Sequence, residues 1–536
     1  MTCKGSPEAG RRRSALRRGM VLLLALIGAG VAGWLALRYR GPAILRPLAR
    51  CRDPRFSGLL IPGRPQFQHP GPPTAREQAI FSLAEAYERI ERDEPADACA
   101  WVDLNERLLW LGECPRAESG AQAMLRLVPD YPPALALLSG VRFFMGDWEE
   151  GAALAERALA SRPDLPLALV SRARMAAARG DREAAFEDLR RAAKIDRRRP
   201  EASFHLGFLL FQENRFSEAA PHLRRAQEHQ PDPDWPTAQA IRRILALEKL
   251  LAGRRPHRLS GPQEVEVPIS LRGEVPAVWA RLEGGVEGWF MIDTGTNLCT
   301  LSPFAVKGAR IADDSFVGSA PSSSKAALLP RMEIGPLVIH DAPAVLEAKG
   351  IYKDDLTVLG LLGVSLLREF EVSIDLFRGR ARFALRTRAQ EDGRVSSGRA
   401  TRVSCRIVDG RPFLRVRLGG GPERLFLFDT AAHGLRIDSR LAREDLGLDP
   451  NDPRAPRIGI TSPGGRQYQA PLISLPKPLV IAGLALEKLD AHIDPLPGPR
   501  YGFNHPTVWG TLGIPGPGRY TIDLARHTIT LDTRRP

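Results

Sequence analysis

Three regimes of hydrophobic and polar patterning follow one another along the chain. Residues 20–37, MVLLLALIGAGVAGWLAL, form one uncharged and mostly apolar run. Between about residues 75 and 252 the apolar positions recur at helical spacing. Beyond Gly253-Arg254-Arg255-Pro256 they shorten to Val/Ile/Leu/Phe runs broken by Gly and Pro, which read as β-strands. The pattern predicts a multidomain chain: a membrane-spanning helix, an all-α array and an all-β region.

The helical stretch repeats itself. Gly112, Gly146, Gly180 and Asn214 stand at one constant interval, as do Pro129-Asp130 and Pro163-Asp164, with Pro231-Asp232 in the same phase. Each unit reads as two helices, with Gly or Asn in the turn between them and the Pro-Asp pair closing the second. The repeats fall at 98–131, 132–165, 166–199 and 200–233, and helices near 75–92 and 237–252 read as caps of a repeat domain at 75–252. This array resembles the tetratricopeptide repeat, which implies a surface that binds a peptide or protein partner. Arg172 departs from the pattern, standing where Leu104, Leu138 and Leu206 are apolar. Cys99 and Cys114 begin antiparallel helices, about 20 Å apart over fourteen residues, so no bridge between them is expected.

The strand-rich region is duplicated at one fixed offset. Pro276, Arg281, Leu282, Gly284, Gly285, Phe290, Asp293 and Thr294 match Pro412, Arg417, Leu418, Gly420, Gly421, Phe426, Asp429 and Thr430. In both copies an acid directly follows four apolar strand residues, a costly position for an acid that is neither hydrogen-bonded nor functional. Two lobes with one such acid each suggest a pair meeting at a two-fold interface. Such a pair shares a proton, so one member can deprotonate water while the other protonates a carbonyl.

Asp293-Thr294-Gly295-Thr296, then Val358-Leu-Gly360-Leu-Leu-Gly363 and Phe370-Glu-Val-Ser-Ile-Asp-Leu376, resembles a lobe of a retropepsin-like aspartyl protease. The resemblance spans a first lobe at 263–388 and implies an all-β two-lobed fold. In the second lobe, 400–536, Ala431 and Ala432 replace Gly295 and Thr296, and Gly510-Thr-Leu-Gly513 leads to a terminal strand two residues closer. The resemblance implies catalysis by Asp293 and Asp429. It also implies an active-site loop of Thr294, Gly295, Thr296, Thr430 and Ala431, and flaps near Ser319–Lys325 and at Gly464-Gly465. Thr296 could hydrogen-bond Asp293 where Ala432 offers Asp429 nothing, so Asp293 is expected to be the more acidic partner. Cys299 is expected to pack beneath the loop, and His433 to be a loop or surface residue.

Charge narrows the alternatives. The formal charge is +14, yet residues 1–19 carry +5 and residues 38–69 carry +6, so the bulk is close to neutral and a nucleic-acid partner is not expected. Six scattered cysteines are no disulfide framework, and no CxxC or HExxH occurs, so no metal and no cofactor are expected. Gly28-Ala-Gly30-Val-Ala-Gly33 matches a dinucleotide fingerprint, but Arg38, Arg40, Pro42 and Pro47 break the unit that would complete one. Residues 20–37 reach about 27 Å as a helix, enough for a transmembrane anchor, though they could be a cleaved signal. A basic cytoplasmic tail at 1–19 and a Pro/Arg-rich tether at 38–74 complete the expected organisation. The bulk is then extracytoplasmic, on the periplasmic or extracellular side. The expected function is a membrane-anchored aspartic endopeptidase with a peptide-binding array. The alternatives are an inactive scaffold, or a homodimer of first lobes.

Overall fold

A computed structural model describes residues 53–56, 97–110, 113–229, 236–308, 311–313, 325–347, 355, 357–386, 400–461, 467–494 and 508–533. The basic tail, the anchor, the 75–92 cap, both flap tips and all of the tether except residues 53–56 lie outside these residues; within the tether, Phe56 is buried against the array. No helix among the described residues is long and apolar enough to cross a membrane.

Eight helices form four antiparallel pairs in the expected register. They are Ala98–Trp110 with Cys114–Leu127, Pro132–Met145 with Trp148–Ser161, Pro166–Arg179 with Arg182–Ile195, and Pro200–Gln212 with Phe216–His229. A ninth, Pro236–Leu251, packs on the last pair. Pro132, Pro166 and Pro200 each open a helix, where the missing N–H costs nothing. Gly146, Gly180 and Asn214 turn the chain with φ of 83°, 94° and 59°. This left-handed region suits Gly, and tolerates Asn, far better than other residues. Arg172 is explained by Asp188, which accepts two bonds of 2.7 Å from its guanidinium. Cys114 is free and Cys99 is disulfide-bonded to a partner outside the described residues, so the two are not joined.

Arg199 ties distant units together. At the end of the third repeat it reaches Glu106 at 2.5 Å and Asp103 at 3.0 Å in the first. Glu106 is buried, so removing the guanidinium leaves an uncompensated acid. Arg199→Met should cost about 3 kcal/mol in denaturant unfolding at neutral pH. The deficit should shrink in acid, where Glu106, its pKa already raised by burial, takes up a proton.

Among the described residues the β region forms two sheets. In the first lobe Glu264–Arg272, Val275–Leu282 and Glu287–Ile292 run antiparallel in sequence, and Val358–Leu362 then lies parallel beside Glu287–Ile292. The second lobe repeats this with Arg411–Leu418, Arg424–Phe428 and parallel Gly510–Leu512. The correspondence holds residue by residue: Phe290 pairs with Gly360, and Phe426 with Gly510. A Cβ on either glycine would lie under 3 Å from that phenylalanine ring. The equivalent strands Phe370–Asp375 and Arg519–Asp523 pair antiparallel across the lobes, with Val372 opposite Ile522.

The array sits on these lobes by its turns. Arg415 donates to the Gly146 carbonyl at 3.2 Å and pairs with Glu149 at 2.8 Å. A Cβ on Gly180 would meet the His527 ring at 3.3 Å. Asn214 donates to the Ser365 carbonyl at 3.0 Å and to Glu369 at 2.8 Å. The turn positions that recur once per repeat thus serve twice, reversing the chain and letting β structure approach. Beneath them the array core continues into Val408, Phe413, Leu425 and Leu427 of the second lobe.

Candidate functional site

Each lobe's loop begins where its inner strand ends. Asp293 N–H donates to the Leu362 carbonyl at 3.1 Å, and Asp429 N–H to that of Leu512 at 2.9 Å. The parallel strands therefore hold both acids in the same local geometry. Four reciprocal hydrogen bonds then lock the loops together. Thr294 Oγ1 donates to the Phe428 carbonyl at 2.8 Å, and Thr430 Oγ1 to that of Ile292 at 2.6 Å. Each hydroxyl also accepts the other threonine's N–H at 3.1 Å. Both threonines are almost wholly buried, so each partner satisfies groups that water cannot reach.

This lock brings the Asp293 and Asp429 carboxyls side by side, the Asp429 carboxyl standing against the Gly295 loop and acting on Asp293 by its charge. Asp293 Oδ1 accepts the Gly295 N–H at 2.7 Å, and Asp429 Oδ1 accepts that of Ala431 at 2.9 Å. Ala431 therefore keeps the backbone bond made at the glycine position. Its side chain packs against the small cluster of Val275, Ala277, Met291 and Val358. Gly295 has no such room, since a Cβ there would lie 2.4 Å from Asp429 Oδ2.

Burial pushes both carboxyls above the ordinary carboxylate range. Asp293 is raised by burial and then by the charge of Asp429. Asp429 is raised by burial, opposed by the Ala431 N–H and by Arg436. Among the described residues no hydrogen bond joins the Thr296 hydroxyl to Asp293; its backbone carbonyl accepts from Val364 instead, at 2.9 Å. Arg436 lies on the Asp429 side of the pair, where it favours the charged form.

Cys299 is fully buried in the strand after the loop, its thiol pushed up to about 11 by burial. His433 is exposed. Among the described residues no group of three His, Cys, Asp or Glu could hold a metal ion.

Sequence reasoning missed Arg411. It follows the Asp409-Gly410 turn, and its guanidinium donates to Asp409 at 2.8 Å and to the Gly295 carbonyl at 3.4 Å. Asp409 also accepts from Asn297 at 3.0 Å. A signal was available: the equivalent position of the first lobe is Val275, fully buried, so the two lobes differ at one strand-opening residue beside the loops.

A tetratricopeptide-repeat family model matches residues 176–242. With the paired helices, this match shows that the array carries tetratricopeptide repeats, a type of unit that suggests protein–protein interaction. A thermophilic tetratricopeptide-repeat protein of Thermus thermophilus is similar in solved structure at 20% identity, covering 32% of this chain and 90% of that one, with a TM-score of 0.26. No curated protein matches. Part of the array's surface is already taken. Pro166–Arg179 packs against Arg406–Val408, and Ile407, Val408 and Asp409 line a cavity with Phe143, Arg174 and His205 of the first helices of three repeats.

Proposed function

We propose that the chain is an aspartic endopeptidase of the retropepsin-like type, hydrolysing peptide bonds with water activated by Asp293 and Asp429. The observation that carries this reading is the pairing of a buried carboxyl, Asp293, with a half-buried one, Asp429, one from each duplicated lobe, across reciprocal Thr294 and Thr430 hydrogen bonds. In the first step charged Asp429 takes a proton from water as its oxygen attacks the carbonyl carbon. Neutral Asp293 gives its proton to the carbonyl oxygen, forming a gem-diol. Asp429 then passes its proton to the amide nitrogen, the C–N bond breaks, and Asp293 recovers a proton from the diol. The singly protonated pair is the working form. Raising both carboxyls moves its pH window upward, so cleavage should persist above the ordinary carboxylate range and fade as Asp293 ionises.

The apolar run at 20–37 supports a membrane anchor, and the disulfide at Cys99 fits an oxidising, extracytoplasmic compartment. The repeats would then present or recruit protein substrates through the surface that the lobes leave open.

Incubating the full chain with a mixed peptide library from pH 3 to 8, with Asp293→Asn as control, tests the activity. Cleavage by the wild type alone is expected. Cleavage by neither protein at any pH would favour the second reading, a tetratricopeptide scaffold with inactive lobes, which the Asp-Thr-Ala sequence of the second lobe favours.

A further inference from the structure

We propose that Arg411 is a positioning residue for the Asp293–Asp429 pair, bracketing the first lobe's loop from the second lobe; this rests on reading the pair as the catalytic dyad. The bracket has three points. Arg411 holds the Gly295 carbonyl, one residue beyond the hydrogen-bonding Thr294, and its partner Asp409 holds Asn297 further along the same loop. Behind them, the Arg406–Val408 strand packs on Pro166–Arg179, and Ile407 and Val408 line a cavity together with Phe143, Ala173 and Arg174 of the array. The hairpin therefore transmits the rigidity of the helices to the loop that carries Asp293.

The arrangement is one-sided. In the first lobe the equivalent turn is Gly273-Glu274, with φ of 57° and 74°, close to the 51° and 74° of Asp409-Gly410. There Val275 replaces Arg411, and Gly273 approaches the His433 ring. The backbone is thus duplicated while the cation is not. The Arg411 side chain is largely covered, 12% exposed, with its guanidinium turned to Asp409 and the Gly295 carbonyl, so it steadies the loop and lends charge from behind it. The charged and titratable groups facing this locus are Asp409 on its own hairpin, Asp293 and Asp429 on the two loops, Arg436 beside Asp429, and Arg174 and His205 across the cavity. A guanidinium stays cationic throughout the working pH range, so it favours the ionised pair at every pH.

Arg411→Met and Arg411→Lys in the full chain separate charge from shape. Arg411→Met should lower kcat/KM by up to about a hundredfold, the scale of loss from a misplaced reacting group. It should also move the acidic limb of the rate profile to higher pH. Arg411→Lys should keep the limb in place while losing part of the rate, because one ammonium cannot make both contacts. An equal loss at every pH with no movement of the limb would mean a merely structural role and overturn the proposal. If the wild type cleaves nothing, carbon-13 carboxyl titration of the pair, assigned with Asp293→Asn and Asp429→Asn, decides instead. Higher midpoints in Arg411→Met sustain the positioning role even where the protease reading fails; unmoved midpoints overturn it.

Discussion

Asp293→Asn and Asp429→Asn should each remove peptide hydrolysis, with kcat falling by at least about a thousandfold. Either change leaves one ionisable group where two are needed, and positioned acid–base chemistry is typically worth roughly 10²–10⁴ in rate. Both variants should fold, because the amide oxygen can still accept the Gly295 or Ala431 N–H that the carboxylate accepts. Mixing the two variants should restore nothing, since each chain builds its own pair and neither has a complete one. A dimer of first lobes makes a different forecast: Asp429→Asn would stay active and only Asp293→Asn would be dead. Full activity in Asp429→Asn would reduce the second lobe to a support. Steady-state kinetics on a single cleaved peptide suffices to choose.

The second large effect lies one residue behind each loop threonine. Gly295→Ala should lower kcat/KM by about a hundredfold, because the new methyl would stand 2.4 Å from Asp429 Oδ2 and must push that carboxyl away. Ala431→Gly should change the rate by no more than a few-fold. The methyl it removes points into an apolar cluster, while the N–H to Asp429 remains. The opposite ranking would mean that the Asp-Thr-Ala loop, and not the space above Gly295, limits the site.

Much of this was legible in the sequence because it is periodic. The even spacing of Gly146, Gly180 and Asn214 places eight helices, since a left-handed turn leaves a local mark on residue choice. The fixed offset between the lobes sets Asp293 against Asp429 and Thr294 against Thr430, because duplicated lobes meeting about a two-fold bring equivalent residues together. What escapes has no local mark. Arg411 and Asn297 meet through Asp409, far along the chain from Asn297. Thr296 looks adjacent to Asp293 in sequence yet makes no hydrogen bond to it among the described residues, whereas burial, Arg411 and Arg436 act on the pair through space. Occupation of the array's inner helices by the Arg406–Val408 strand likewise depends on how two domains dock, which repeat register does not encode.

The shared core beneath the turns bears on how this protein can be handled. Val408, Phe413, Leu425 and Leu427 are at most 5% exposed, and they belong to one apolar cluster with the helices. Cutting the chain at the Gly253–Pro256 junction to obtain a smaller enzyme would strip that cover. It would also leave Arg415 without the Gly146 carbonyl and Glu149. The excised lobes would present a fresh greasy patch ringed by unpaired cations, the kind of surface that drives clumping. A truncated preparation that precipitates or shows no turnover would then report on its missing scaffold, and say nothing of the two aspartates.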